Sequence, residues 1–207
     1  NVVVIIDDAY FGLVYEDGVY PESIFTELAG LSENVLAVKL DGPTKEDYVW
    51  GFRTGFITYA IKGGTADLYE ALENKTAGAI RGNISNISQL SQSLLYKVYS
   101  APTYEEAKRN KFNILKGRYD ILKQELNKAE YKEYFEALPF NSGYFMCVEP
   151  KKGLQTEDIR KHLLEKYSTG VIVLGNVIRL AFSAVPQSKI PELIANIYNA
   201  CKDLSSK

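Results

Sequence analysis

The chain has 207 residues, 46% of them hydrophobic and 24% charged, enough apolar material for one large domain or two small ones. Lys and Arg total 24 against 26 Asp and Glu, a net charge of −2, without the basic excess of a nucleic-acid binder or the large net charge of a disordered chain. No apolar run approaches about 20 residues, which argues against a membrane-spanning helix, and two cysteines, Cys147 and Cys201, fit a reducing, cytoplasmic compartment better than a disulfide scaffold.

No signal peptide is read at the start. The chain opens on Asn1 directly into a strand, which predicts a piece of a longer protein. Val2 to Ile6 is a β-branched run ending in two acids, the pattern of a central strand buried on both faces. Val35 to Leu40 and Phe56 to Ile61 are further strands. Pro21 to Leu31 carries Ile24, Leu28 and Leu31 at helical spacing, a crossover helix between the first two strands. Helices are predicted over Thr65 to Asn74 and Ile87 to Tyr99, the second capped by Ser85 or Asn86. Thr103-x-x-Glu106 has capping-box form and opens the longest helix, with Tyr104, Ala107, Leu115, Tyr119, Leu122 and Leu126 on one face.

After Pro139 the character changes. Gly143 to Val148 reads as a strand, and Thr156 as the cap of a helix to about Tyr167. Val171 to Leu174 and Val177 to Ser183 flank Gly175-Asn176 as a hairpin with a two-residue turn. A last helix starts near Pro191. The expected fold is α/β, with residues 1–112 as part of a larger domain on a mixed, mostly parallel sheet and residues 113–207 as a smaller α+β domain. The long helix joins them.

Four segments hold polar residues that packing alone does not call for. Asp7-Asp8-Ala9-Tyr10 ends the first strand, and α/β sheets bind ligands beyond the carboxyl ends of their strands; a capped turn is the plainer reading. Lys45 and Arg53 flank Glu46 to Phe52, and Gly51-x-Arg53-x-Gly55 lets backbone come close to a ligand while the guanidinium forks onto an anion. Arg81, Ser85 and Asn86 precede a helix N-terminus, which attracts anions; ordinary capping competes. Arg179 alternates with Ile178 and Leu180 along a strand, so it faces away from them and needs a partner carboxylate or an open cleft. His162 falls mid-helix, Cys147 reads as core, and Lys108, Arg109 and Lys111 read as a solvated helix face. With one histidine, no metal site is expected.

Taken in order, D-x-A-Y, K-x7-R with G-x-R-x-G, R-x3-S-N and the late strand arginine make the chain resemble the class I/II aminotransferases of pyridoxal-phosphate fold type I. It looks like the C-terminal half to two-thirds of such a protein. The resemblance implies a pyridoxal 5'-phosphate cofactor, amino acid and 2-oxo acid substrates, and a homodimer. It implies that Lys45 forms the Schiff base with the cofactor aldehyde and then shuttles the Cα proton. Asp7 would pair with the pyridine nitrogen, Tyr10 with the ring 3-hydroxyl and Arg53 with the phosphate. Arg179 would grip the substrate α-carboxylate and Arg81 a distal carboxylate, while Ser85 and Asn86 would approach the neighbouring subunit's site. The stretch Asp41-Gly42-Pro43-Thr44-Lys45 departs from the family's S-x-S-K: Gly42 lacks a hydroxyl, and Thr44 is the one left to substitute. Two other readings share the scaffold: a cofactor-binding sensor domain of an aminotransferase-like transcription regulator, and a lyase or decarboxylase.

Overall fold

The computed structural model describes residues 1–206. The chain divides into two compact units, Asn1–Lys108 and Arg109–Lys207.

The first unit is built on a three-stranded sheet in the order β1-β2-β3. β1 (Val2–Asp7) runs parallel to β2 (Val35–Asp41), with Val2 opposite Val35 and Asp7 opposite Leu40. β3 (Phe56–Ala60) returns antiparallel, with Asp41 opposite Phe56, so the sheet is mixed. The core centres on the middle strand, where Ala37 and Val38 are buried along with Ile6, Leu13 and Tyr15.

The expectation that β1 is buried on both faces is wrong. Val2, Val3 and Ile5 are 56%, 60% and 65% exposed. Among the described residues β1 pairs with β2 alone, and its β-branched run suits a pleated sheet whether or not a second layer covers it.

The connections differ in extent from their expected bounds. The crossover helix α1 is only Phe25–Ala29, because the Ser23 hydroxyl accepts from the Phe25 N–H and donates to Asp8, tying the preceding residues to the β1 loop. α3 extends over Ala66–Asn83, well past Asn74. Thr76 does not stop it, since its hydroxyl bonds back to the Leu72 carbonyl at 2.8 Å and pairs with the Tyr59 hydroxyl at 2.5 Å. α4 is Gln89–Tyr99, and its cap is Ser88, whose hydroxyl accepts from the Ser91 N–H at 3.3 Å. Neither Ser85 nor Asn86 caps it. Between β2 and β3 lies α2 (Pro43–Glu46), a single helical turn. The boundary between the units falls inside α5 (Tyr104–Leu126).

The second unit carries an antiparallel sheet of order β4-β5-β7-β6, made of β4 (Phe135–Ala137), β5 (Met146–Pro150), β6 (Ile172–Leu174) and β7 (Val177–Leu180). Leu174 pairs with Val177 across Gly175-Asn176, the expected two-residue turn, with Gly175 at φ 59°. β5 starts at Met146 rather than Gly143, and β7 stops at Leu180, where Phe182–Ala184 tighten into a 3-10 turn. α6 (Thr156–Tyr167) and α7 (Ile190–Ser205) complete the unit. Thr156 is the first helical residue, not the cap: its hydroxyl donates to the Gly175 carbonyl at 2.8 Å. The predicted face of α5 supplies buried Leu115, Tyr119, Leu122 and Leu126. Cys201 is buried, whereas Cys147 is only half-buried.

Candidate active site

In the first unit, one end of the sheet gathers the carboxyl ends of β1 and β2 and the start of the antiparallel β3. Asp7 ends β1, exposed, its Oδ1 accepting from the Ala9 N–H at 3.2 Å. Lys45 sits on α2, immediately after β2, with its Nζ 5.8 Å from the centre of the Tyr10 ring. Arg53 is exposed on the turn entering β3, its Nη1 donating to the Trp50 carbonyl at 3.3 Å. Sheet topology therefore places Asp7, Tyr10, Lys45 and Arg53 at the same end of the sheet, with the Lys45 amine beside the Tyr10 ring.

The glycine at 42 has a structural cause. A Cβ there would stand 3.0 Å from the Gly55 Cα and 3.0 Å from the Thr54 carbonyl oxygen. The turn before Lys45 thus lies against the turn after Arg53, and a serine would not fit without displacing backbone. Gly55 is part of this approach, with its own Cβ position 3.3 Å from the Asp41 carbonyl. Gly51 faces open space and plays no such part.

Two polar groups brace these loops, and neither stood out in the sequence. In the first, Lys39 Nζ lies 2.7 Å from Asp41 and 3.8 Å from Asp8, over the Phe11 ring at 4.4 Å. It clips the β1 loop to the end of β2. In the second, Asp47 accepts from the Tyr99 hydroxyl at 2.8 Å and the Tyr104 hydroxyl at 2.6 Å. Lys108 bonds Glu46 at 2.5 Å and stands 3.5 Å from Asp47. Lys108 is therefore not the solvated residue its helix pattern suggested: only 27% of its side chain is exposed. Burial opposes its charge, but the hydrogen bond and charge of Glu46 outweigh that and raise its pKa. Burial and the bond to Asp47 push the Tyr104 phenol up to about 12 and the Tyr99 phenol higher still. Both phenols stay protonated donors at neutral pH. The signal available in sequence was Glu46-Asp47 directly after the lysine, but their partners lie 52 to 62 positions away.

Two non-glycine residues here hold left-handed backbone, Tyr48 at φ 62° and Arg53 at φ 51°. For such side chains that region is sparsely populated, and it persists where the surroundings over-determine it.

Arg81, Ser85 and Asn86 form their own group where α3 meets α4. Arg81 closes α3 rather than leading into a helix, and its Nη1 donates to the Ser85 hydroxyl at 2.6 Å. Ser85 is left-handed at φ 68°, and Asn86 Oδ1 accepts from the Ile87 N–H at 2.8 Å. In the second unit, Arg179 lies on β7 opposite Cys147 and Ile172. Ile178 and Leu180 are buried and Arg179 is half-buried, as the alternation requires. Its guanidinium stacks over the Phe145 ring at 4.5 Å, and no carboxylate pairs with it among the described residues.

A sequence model described as aminotransferase class I and II matches residues 1–197. The chain belongs to that family. A crystal structure of an aminotransferase from Anaerococcus prevotii superposes with a TM-score of 0.79 at 26% identity, over 97% of this chain and 47% of that one. The α-aminoadipate aminotransferase of Thermus thermophilus, crystallised with N-(5'-phosphopyridoxyl)-L-leucine, gives 0.76 at 21% identity, over 99% and 51%. The aromatic aminotransferase of Pyrococcus horikoshii gives 0.72 at 17%, over 98% and 52%. The last two show the shared fold alone. The chain spans about half the length of these structures, so it forms part of the pyridoxal-phosphate-dependent transferase fold. No curated protein matches it by sequence. Among the described residues no helix is long and apolar enough to cross a membrane.

Proposed function

We propose that this chain carries one share of the active site of a pyridoxal-phosphate-dependent aminotransferase acting on an amino acid and a 2-oxo acid. The observation that carries the reading is that the segments bearing Lys45, Tyr10, Asp7 and Arg53 share one sheet end, with the Lys45 amine beside the Tyr10 ring.

The donor set fits pyridoxal phosphate group by group. Lys45 offers a primary amine for the aldehyde, Asp7 a carboxylate for the pyridine nitrogen, Tyr10 a phenol for the 3-hydroxyl, and Arg53 a guanidinium for the phosphate. When bound, the cofactor supplies an electron sink for the carbanion at Cα. Asp7 would keep the ring nitrogen protonated, because a nearby opposite charge favours the charged form. Lys45 would hold the cofactor through its amine, and the same amine would take the proton at Cα as base and return it as acid. Arg179 provides a planar fork for the substrate α-carboxylate, which fixes the Cα–H bond. In this reading the whole protein is a homodimer, with Ser85 and Asn86 directed to the neighbouring subunit and Arg81 to a distal substrate carboxylate.

Borohydride reduction of the intact protein with pyridoxal phosphate, followed by peptide mapping, is expected to label Lys45. A label on any other lysine refutes the assignment. Production of 2-oxo acid from an amino acid only when an acceptor 2-oxo acid is present separates transamination from lyase chemistry.

A further inference from the structure

The lysine-bearing turn cannot hold itself. α2 has four residues, far below the length at which a helix is stable alone. Its hydrogen bonds are few and long: the Asp47 N–H reaches the Pro43 carbonyl at 3.1 Å, the Tyr48 N–H the Lys45 carbonyl at 3.3 Å, and the Val49 N–H the Pro43 carbonyl at 3.4 Å. Tyr48 follows in left-handed backbone, a conformation that a bulky side chain does not choose unaided. Some tertiary contact must define where Lys45 stands.

On its entry side the Gly42–Gly55 approach supplies one. On its exit side the two residues after Lys45 are both anchored. Asp47, with only 7% of its side chain exposed, accepts one hydroxyl from the last residue of α4 and one from the first residue of α5. Glu46 takes the ammonium of Lys108 one turn further along α5. The Tyr99 and Tyr104 rings meet edge to face at 5.3 Å, so the two donors are held relative to each other. Charge-assisted hydrogen bonds of this kind are among the stronger ones, and a phenol has few rotatable bonds to freeze.

We infer that Asp47, through Tyr99 and Tyr104, is a positioning residue that fixes the turn carrying Lys45, and with it the direction of the Lys45 amine. This rests on the reading of Lys45 as the cofactor lysine and adds to it a residue set that acts through the turn.

Tyr99→Phe and Tyr104→Phe, singly and together, keep the ring packing and every formal charge; Tyr99→Phe removes one hydroxyl donor to Asp47, and Tyr104→Phe removes the other together with the oxygen that accepts from the Lys108 ammonium at 3.3 Å. In the double variant of the intact protein, backbone amides from Lys45 to Val49 should exchange faster in the cofactor-free state while those of β1 and β2 keep their rates. The dissociation constant for pyridoxal phosphate should rise about tenfold, the size expected for loss of a hydrogen bond to a charged acceptor. The turnover number should fall with the substrate KM unchanged. Asp47→Asn, which keeps one acceptor oxygen, should fall between wild type and the double variant. Unchanged local exchange and cofactor affinity would overturn the inference. So would faster exchange spread evenly over residues 1–108 with a matching loss of melting temperature, since that marks a structural brace only. Reductive mapping keeps the two readings apart. A Lys45 label in variants with unaltered affinity sinks only the positioning role, whereas a label on another lysine sinks the cofactor assignment.

Discussion

Replacing Gly42 with serine restores the hydroxyl found in the family pattern and tests whether the backbone contact or the missing hydroxyl governs this turn. The new Cβ would meet the Gly55 Cα and the Thr54 carbonyl oxygen, each at 3.0 Å, where ordinary contact begins at 3.4 Å. Both obstacles are backbone. Thr54 is only 6% exposed and cannot swing outward, so the Arg53 turn must shift by a few tenths of an ångström. Overpacking of this kind costs about 1–3 kcal/mol. Gly51→Ser is the matched control: nothing lies within 4 Å of its Cβ position, so its effect should stay within about 0.5 kcal/mol. Urea unfolding of the intact protein, followed by circular dichroism, reads the stability. A pyridoxal phosphate titration reads the consequence for the Arg53 turn, and Gly42→Ser should bind more weakly. If Gly42→Ser matches the control in stability and binds the cofactor as tightly as wild type or better, the steric account is wrong.

Arg179→Lys keeps the charge but removes the planar fork; kcat/KM for the amino acid should drop about a hundredfold, the loss of roughly two charge-assisted hydrogen bonds, and an unchanged kcat/KM would remove Arg179 from the substrate site. In the second unit, Asp203 accepts from Lys166 at 2.6 Å, His162 at 2.9 Å and Tyr167 at 2.7 Å. The Lys166 bond first, then those of His162 and Tyr167, hold its carboxyl well below the usual range. A lowered native pKa adds stability at pH values above the unfolded aspartate pKa, and that stability is lost as pH falls toward the native value. Asp203→Asn should therefore destabilise the protein near pH 7 by about 1 kcal/mol, small because the site is partly exposed, and should flatten the acid limb of the stability curve; an unaltered limb contradicts the assignment. Burial pushes the Cys201 thiol up to about 12, so at neutral pH a thiol reagent should modify Cys201 only after unfolding, and rapid labelling of the native protein would contradict the packing of α7.

Local pattern carried the parts of this fold that local physics decides. The α5 face, the Gly175-Asn176 turn and the alternation around Arg179 all depend on neighbours within a few residues. β1 failed for the converse reason: a β-branched run states that a strand suits these residues, not how many layers will cover it. In sequence Gly42 reads as a missing hydroxyl because its obstacle, the backbone at 54 and 55, lies more than ten positions away on the turn entering β3. Lys108 was read as solvated because its partner Glu46 is 62 positions away. The ordered motif set points to the family, while the Asp47 and Glu46 brace depends on donors from α4 and α5 that no local pattern signals.

The distribution of constraint around Lys45 bears on how such a site works. The turn is pinned at entry by a backbone contact that tolerates no side chain, and at exit by a carboxylate with two phenol donors. Asp7 and Arg53, by contrast, are exposed, and nothing buries their charged ends within this unit. In the proposed reading, the residue whose amine must arrive within bonding distance thus sits on a turn held at both ends. Effective molarity depends most steeply on the placement of the bond-forming atom. A carboxylate or guanidinium can follow its partner over a wider range at little loss, because charge attraction falls off slowly with distance. Left-handed backbone at Tyr48 and at Arg53 falls beside these fixed contacts, where surrounding structure over-determines a conformation that such side chains rarely adopt.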